Sequence, residues 1–141
     1  MKKKLCVAFA LFLCAYSFGQ KANEREVVLQ ITNVKSDKGT ILVSVHDSEK
    51  SFKSRVPMAS FKAPAKTPAV TFALKLAPGE YAFCVYHDAN DNGDLDTGLF
   101  GIPKEPFGFS NYDGKSPPGK FERHKLVISK DETITIPLVE F

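Results

Sequence analysis

Val70-Thr71-Phe72-Ala73-Leu74-Lys75-Leu76-Ala77-Pro78-Gly79-Glu80-Tyr81-Ala82-Phe83-Cys84-Val85-Tyr86 is the stretch whose reading decides the fold class. Its apolar side chains first fall on every second position, at Val70, Phe72, Leu74 and Leu76. That is the period of a strand with one buried face, not the 3.6 of a helix. Ala77-Pro78-Gly79 ends the run with residues whose dihedrals suit chain reversal. From Tyr81 to Tyr86 both faces are apolar, Phe83 and Val85 on one and Cys84 and Tyr86 on the other. Such a composition suits a strand covered on both sides at the centre of a sheet.

The same period extends in both directions. Val27, Leu29 and Ile31 alternate with Val28, Gln30 and Thr32, and Ile41, Val43 and Val45 alternate with Leu42, Ser44 and His46. The turn cluster Lys35-Ser36-Asp37-Lys38-Gly39 between them predicts a hairpin of the first two strands. Phe121–Ile128 and Thr133–Val139 read as two further strands, and the polar break Ser129-Lys130-Asp131-Glu132 reads as a second hairpin. Residues 47–66, with Pro57, Pro64 and scattered Phe52, Val56, Met58 and Phe61, fit either a short strand or one helical turn. The expected fold is all-β: an antiparallel β-sandwich of about seven strands, immunoglobulin-like or transthyretin-like, with one long Asp/Gly/Pro-rich loop. With 141 residues, 43% hydrophobic and 12 of them phenylalanine, the chain can fill one such core and is too short for two full-sized ones.

The N-terminus follows a different logic. Lys2, Lys3 and Lys4 form a basic start, and Leu5–Ala15 is apolar on all sides yet too short to cross a bilayer of about 30 Å as a helix. Small Ser17 and Gly19 precede the Gly19–Gln20 bond at the positions a signal peptidase reads. We therefore expect a signal peptide over residues 1–19 and a single β-sandwich domain over residues 20–141, with Ala15-Tyr16-Ser17 as the second cleavage choice. A lipoprotein signal at Cys14 competes, but bulky Leu13 stands where a small residue is expected. The expected location is the periplasm or the outside of the cell, with no transmembrane segment in the mature chain. Three of the 19 basic residues leave with the signal, so 16 remain against 16 acidic ones. A neutral surface without clustered Lys and Arg argues against nucleic acid as a partner. Cys6 and Cys14 leave too, which makes Cys84 a lone thiol, read as a small buried hydrophobe with no disulfide partner.

Asp88–Gly119 breaks the alternation: 32 residues with six glycines and four prolines. Loops longer than about 15 residues inside a compact domain are mostly functional or disordered. This one opens with Asp88-Ala89-Asn90-Asp91-Asn92-Gly93-Asp94-Leu95-Asp96, which matches D-x-[DN]-x-[DN]-G. Alternate side chains of a tightly curled segment converge on one point, and Gly93 permits the curl. Asp88, Asn90, Asn92 and Asp96 would offer side-chain oxygens and Asp94 its carbonyl to calcium. Leu99 stands where a calcium loop of the helix–loop–helix type carries its bidentate Glu, so that class is rejected. Glu105 folding back, or Asp47 reaching across, would supply the missing carboxylate. The competing reading is an Asx-rich turn with no ion. Four carboxylates within nine residues repel one another without a cation, which favours calcium.

Phe100, Phe107, Phe109 and Tyr112 follow among glycines and prolines. They either plug one end of the sandwich or form a platform for a carbohydrate or a protein on the Phe100–Tyr112 loop. No nucleophile elbow, zincin helix, phosphate loop or paired-cysteine motif is present. His46 and His87 both end strands, and a zinc site would require them on the same edge.

The run Asp88-x-Asn90-x-Asn92-Gly93-x-Leu95-Asp96, then Gly101-Ile102-Pro103-x-Glu105, Gly108-Phe109-Ser110-Asn111 and Pro117-Pro118 before Phe121, resembles the signature of a secreted bacterial family, domain of unknown function 2141. The resemblance covers about Val27 to Val139 and implies export, one small β-sandwich and no established activity. Leu76-Ala77-Pro78-Gly79-Glu80-Tyr81 also resembles the Pro-Gly turn of transthyretin-like and carboxypeptidase-regulatory-like sandwiches, a likeness of fold alone. The expected function is that of an exported, non-catalytic binding or accessory module with a calcium loop at Asp88, Asn90, Asn92, Asp94, Asp96 and Glu105. A small hydrolase using metal or carboxylates in the 88–105 loop is the alternative.

Overall fold

The structure is a computed structural model that describes residues 23–141. The expected signal peptide, its cleavage site and Cys14 lie outside the described residues. Eight strands form, at Arg25–Thr32 (β1), Thr40–His46 (β2), Ala59–Pro64 (β3), Val70–Leu76 (β4), Gly79–Asp88 (β5), Phe107–Phe109 (β6), Leu126–Ile128 (β7) and Glu132–Pro137 (β8). Short helices span Glu49–Ser54 (α1) and Phe121–His124 (α2). One sheet has the order β4-β1-β8; the other has the order β3-β2-β5-β6, with β7 also paired to β5.

The alternating residues make the core. Val27, Leu29, Ile31, Ile41, Val43, Val45, Phe83 and Ile136 are fully buried between the sheets. Each large apolar side chain removed from water in this way contributes about 1.5–3 kcal/mol. Tyr81–Tyr86 lies in β5 at the centre of the larger sheet, with β2 on one side and β6 paired to it as well. The all-β, two-sheet expectation therefore holds.

Strand partnership differs from expectation. β1 pairs with β4 and β8 while β2 pairs with β3 and β5, so the first two strands form no hairpin. β7 and β8 likewise belong to different pairings, with β5 and with β1. The short connections 33–39, 65–69, 77–78 and 129–131 all step from one sheet to the other, whereas the long ones, 47–58, 89–106 and 110–125, stay with the larger sheet, the last bringing β7 beside β5. Turn residues specify that the chain reverses, and burial of one face per strand then places the two strands across the core from each other. Because β8 arrives from the other sheet, no hairpin turn joins it to β1, and it runs parallel to that strand. The sandwich is thus mixed, not wholly antiparallel.

Residues 47–66 hold both options: α1, capped by the Ser48 hydroxyl accepting from the Ser51 N–H (3.2 Å), and β3. Phe121–Ile128 is not one strand, since Phe121 and His124, three apart, share the buried face of the single turn α2 before β7 begins. The 88–119 stretch is not one loop. It contains the end of β5, a 3-10 turn at Leu99–Gly101, and β6. Gly108 of β6 is required by close approach, because a Cβ there would lie 2.8 Å from the Pro137 carbonyl of the opposite sheet.

Candidate functional site

The acidic loop starts from a fixed point. At the end of β5, His87 and Asp88 are both 2% exposed; His87 Nε2 meets the Lys38 carbonyl at 2.6 Å, and its N–H donates to the Pro106 carbonyl at 2.8 Å. Gly39, at φ 78°, leaves room for the main chain of Asp88 and Ala89, which any Cβ would strike. From there the chain curls around the Asp88 carboxylate. The N–H of Asn92 donates to Oδ1 at 3.1 Å and that of Gly93 to Oδ2 at 2.8 Å. Gly93 makes the turn at φ 83°, as its position in the motif requires.

Asp96 receives both asparagine amides, Asn90 at 2.6 Å and Asn92 at 2.7 Å. Glu105, 8% exposed, closes the ring: Oε1 accepts from the Ala89 N–H at 3.1 Å and Oε2 from the Asp96 N–H at 3.0 Å. Asp94 joins only through its N–H, which donates to Asn92 Oδ1 at 3.0 Å, and its side chain is exposed. Asp88, Asn90, Asn92, Asp96 and Glu105 thus belong to one network, with Asp94 at its margin. Asp47 does not. The antiparallel register pairs Thr40 with Asp88 and His46 with Ala82, so Asp47 follows the opposite end of β2. The same register separates His46 from His87 and removes the geometry a shared zinc site needs.

Among the described residues no three His, Cys, Asp or Glu side chains are gathered as a ready metal cage. Nor does Asp88, Asp96 or Glu105 take part in an ion pair there. The negative field reaches Tyr86, whose hydroxyl donates to the Gly93 carbonyl at 3.0 Å. Burial first, then the charges of Asp88, Asp94 and Glu105, raise the Tyr86 phenol above its ordinary range.

Tyr86 connects the loop to a second feature. Residues paired across the larger sheet share a face, and Leu42, Tyr86 and Phe107 form one row on its outer side, Ser44, Cys84 and Phe109 the next. All of these but Leu42 floor a groove of about 870 Å³. Its walls come from the loop beyond Asp96 (Thr97, Phe100–Pro103), from α1 (Phe52) and its end (Arg55), and from residues 115–119. Phe107 and Tyr112 are buried, and Phe109 packs against Tyr112 (ring centroids 5.6 Å) and His124 (4.9 Å). These aromatics therefore cover the outer face of a sheet instead of plugging an end. Phe100 behaves differently: it is 97% exposed at the tip of the 3-10 turn, beside Leu99 at 83%.

The nucleophilic groups nearby are committed to structure. Burial pushes the Cys84 thiol up to about 12, far from a reactive thiolate. Ser110 lies close to His124, but its hydroxyl donates to the His124 carbonyl and accepts from the Phe83 N–H (3.0 Å). His124, fully buried, holds the Ser110 carbonyl through Nδ1 (2.9 Å) and accepts the Gly119 N–H at Nε2 (3.0 Å). Both contacts fit only the neutral ring with its proton on Nδ1, and burial lowers the pKa accordingly. Sequence reading missed this Ser110–His124 clasp and Arg55. The only sequence signal was the Phe107-Gly108-Phe109 alternation, too short to stand out.

A family model described as an uncharacterized protein conserved in bacteria (DUF2141) matches residues 29–136. The chain belongs to this family. In the DUF2141 chain the matched span runs from within β1 to within β8, so it includes both the acidic loop and the groove. No curated protein and no solved structure matches the chain.

Proposed function

We propose that this DUF2141 protein is an exported, non-catalytic binding module whose loop 88–105 is ordered by calcium. One observation carries the reading. Asp88 and Glu105 are buried, and among the described residues neither forms an ion pair with a Lys, Arg or His. Burying carboxylates without a counter-charge is costly, and a hard divalent cation supplies one. The donor set fits. A carboxylate has about four lone-pair sites, and the two main-chain N–H groups on Asp88 and on Glu105 occupy only part of them. Asp96, the side-chain oxygens of Asn90 and Asn92 and the Asp94 carbonyl would complete an oxygen shell.

Export rests on the basic start and apolar run of the N-terminus. The non-catalytic reading rests on the engagement of His46, His87 and His124 with Ser51, the Lys38 carbonyl and the Ser110–Gly119 pair. Calcium also gives the groove a fixed wall, because Asp96 both joins the acidic network and accepts the Lys104 N–H at 2.8 Å from the far side of the tip.

The test is thermal melting of the purified chain with calcium, magnesium or chelator. Binding only the folded state at ten times the dissociation constant stabilises by about 1.4 kcal/mol, or about 3–8 °C. Calcium should raise the melting temperature and magnesium should not. Asp88→Asn, which keeps an acceptor for the Gly93 N–H, should lose the calcium response while remaining folded. Equal melting in calcium and chelator, with unchanged proteolysis of residues 88–105, refutes the ion.

A further inference from the structure

We propose that the groove on the outer face of the larger sheet seats a small amphipathic organic acid, its apolar body on the aromatic floor and its anionic head met by Arg55 and Lys115. The inference rests on the reading of the protein as a binding module, not on calcium.

Size comes first: about 870 Å³ falls within the range of about 300–1,000 Å³ typical of small-molecule sites. Composition comes next. The floor and walls present Tyr86, Phe100, Phe107 and Phe109, and no Asp or Glu side chain lines them. The charged lining is cationic, Arg55 and Lys115, and neither takes part in an ion pair among the described residues. Asp113 accepts the Lys115 main-chain N–H at 3.0 Å and does not line the groove, nor do Asp88, Asp94 and Glu105, whose charge reaches the floor at Tyr86 from the loop side. Ser116, which does, is held by the Arg123 guanidinium at 2.9 Å and adds a further positive group behind the wall.

Two lining residues also adopt backbone conformations in which a glycine would carry no Cβ penalty. Arg55 (φ 58°) and Phe100 (φ 61°) occupy the left-handed region that favours glycine, and both are exposed. Arg55 ends α1 and Phe100 sits at the loop tip, positions where glycine would serve the backbone better. What they share is the groove. An apolar ligand would cover the exposed Phe100 ring, and its anion would take the free guanidinium in a charge-assisted hydrogen bond.

The probes are anilinonaphthalene sulfonate, an aromatic anion, and phenyl naphthylamine, the same aromatic body without the charge. Native protein should bind the sulfonate saturably at one site, with fluorescence enhancement lost on displacement by a medium-chain fatty acid. Arg55→Ala/Lys115→Ala should weaken the sulfonate about tenfold and leave the neutral probe within about twofold. Arg55→Lys/Lys115→Arg should restore most of the loss. Phe100→Ala should weaken both probes. Melting of each variant confirms folding.

No saturable binding, or equal effects of charge removal on the two probes, overturns the proposal. So does a dimer in sedimentation that excludes the sulfonate, or capture by anionic phospholipid vesicles without binding of the free probe. Running the titrations with calcium and with chelator separates this result from the calcium reading: loss of the melting shift would leave the charge effect of Arg55 and Lys115 standing.

Discussion

The two faces of the larger sheet are made by the same strands and obey different rules. On the inner face Ile41, Val43, Val45, Phe83 and Val85 close against the other sheet and are at most 2% exposed. On the outer face, one residue along each strand, Ser44, Cys84 and Tyr86 are only half-buried, and their cover comes from α1, the loop tip and residues 115–119. The inner face is closed by strands and has one solution. The outer face is covered by connections and retains a groove. Close packing is therefore concentrated on one side of β5 and open space on the other.

The largest expected effect tests that division. Phe83 and Cys84 are adjacent in β5 and point to opposite faces, Phe83 fully buried and Cys84 on the groove floor. Phe83→Ala should cost about 3–5 kcal/mol, from lost transfer energy and the cavity left behind, whereas Cys84→Ala should cost less than about 1 kcal/mol. Urea unfolding with matched slopes measures both. Comparable losses would show that the outer face is as tightly packed as the core.

A smaller effect concerns the seam between the connections and the sheet. His124→Phe leaves the Ser110 carbonyl and the Gly119 N–H without their ring partner, at about 2–3 kcal/mol near neutral pH. The pH dependence has a definite sign. Burial lowers the pKa of His124 and of His46 in the folded protein, so the unfolded chain binds protons first as pH falls below the ordinary value of 6.5. Stability from these rings is full above that pH and is lost progressively below it, down to the lowered folded values. Melting temperatures between pH 8 and pH 5 should decline for the native chain and decline less for His124→Phe. Identical slopes would mean that His124 is not held neutral.

The division also explains what the sequence made legible. Alternation at Val27–Ile31, Ile41–Val45 and Val70–Leu76 needs only one buried face per strand, so the inner face could be read directly. Which strand pairs with which could not, because Lys35–Gly39 and Ala77–Gly79 encode a reversal and the same reversal serves a hairpin or a sheet crossing. In the candidate site, Asp88 and Gly93 were legible because their spacing is tied to a backbone turn, whereas Glu105 and Asp47 were equal candidates until the register of β2 and β5 placed Asp47 at the far end. The groove was not. Its floor is set by register, Tyr86 opposite Phe107 and Cys84 opposite Phe109, across the long connection 89–106. A three-residue strand such as β6 has too few positions for a period to show.

The smallest expected effect is the sharpest test of the outer face. Arg55 ends α1 with its N–H donating to the Phe52 carbonyl (3.3 Å), while the Val56 N–H donates to the Ser51 carbonyl (3.2 Å). This is a helix end at which glycine carries no Cβ penalty. Relieving the left-handed strain contributes about 1 kcal/mol, and the greater freedom of glycine in the unfolded chain offsets part of it. Arg55→Gly should therefore raise stability by about 0.5 kcal/mol or slightly more, a shift of a few degrees in melting temperature. The same substitution removes the guanidinium from the groove and should weaken the anionic probe severalfold. Opposite signs for stability and binding are what a residue kept for its ligand predicts. If Arg55→Gly melts lower than the native chain, the arginine stem is packing the end of α1, its conformation needs no ligand to account for it, and the groove loses its best reason for being cationic.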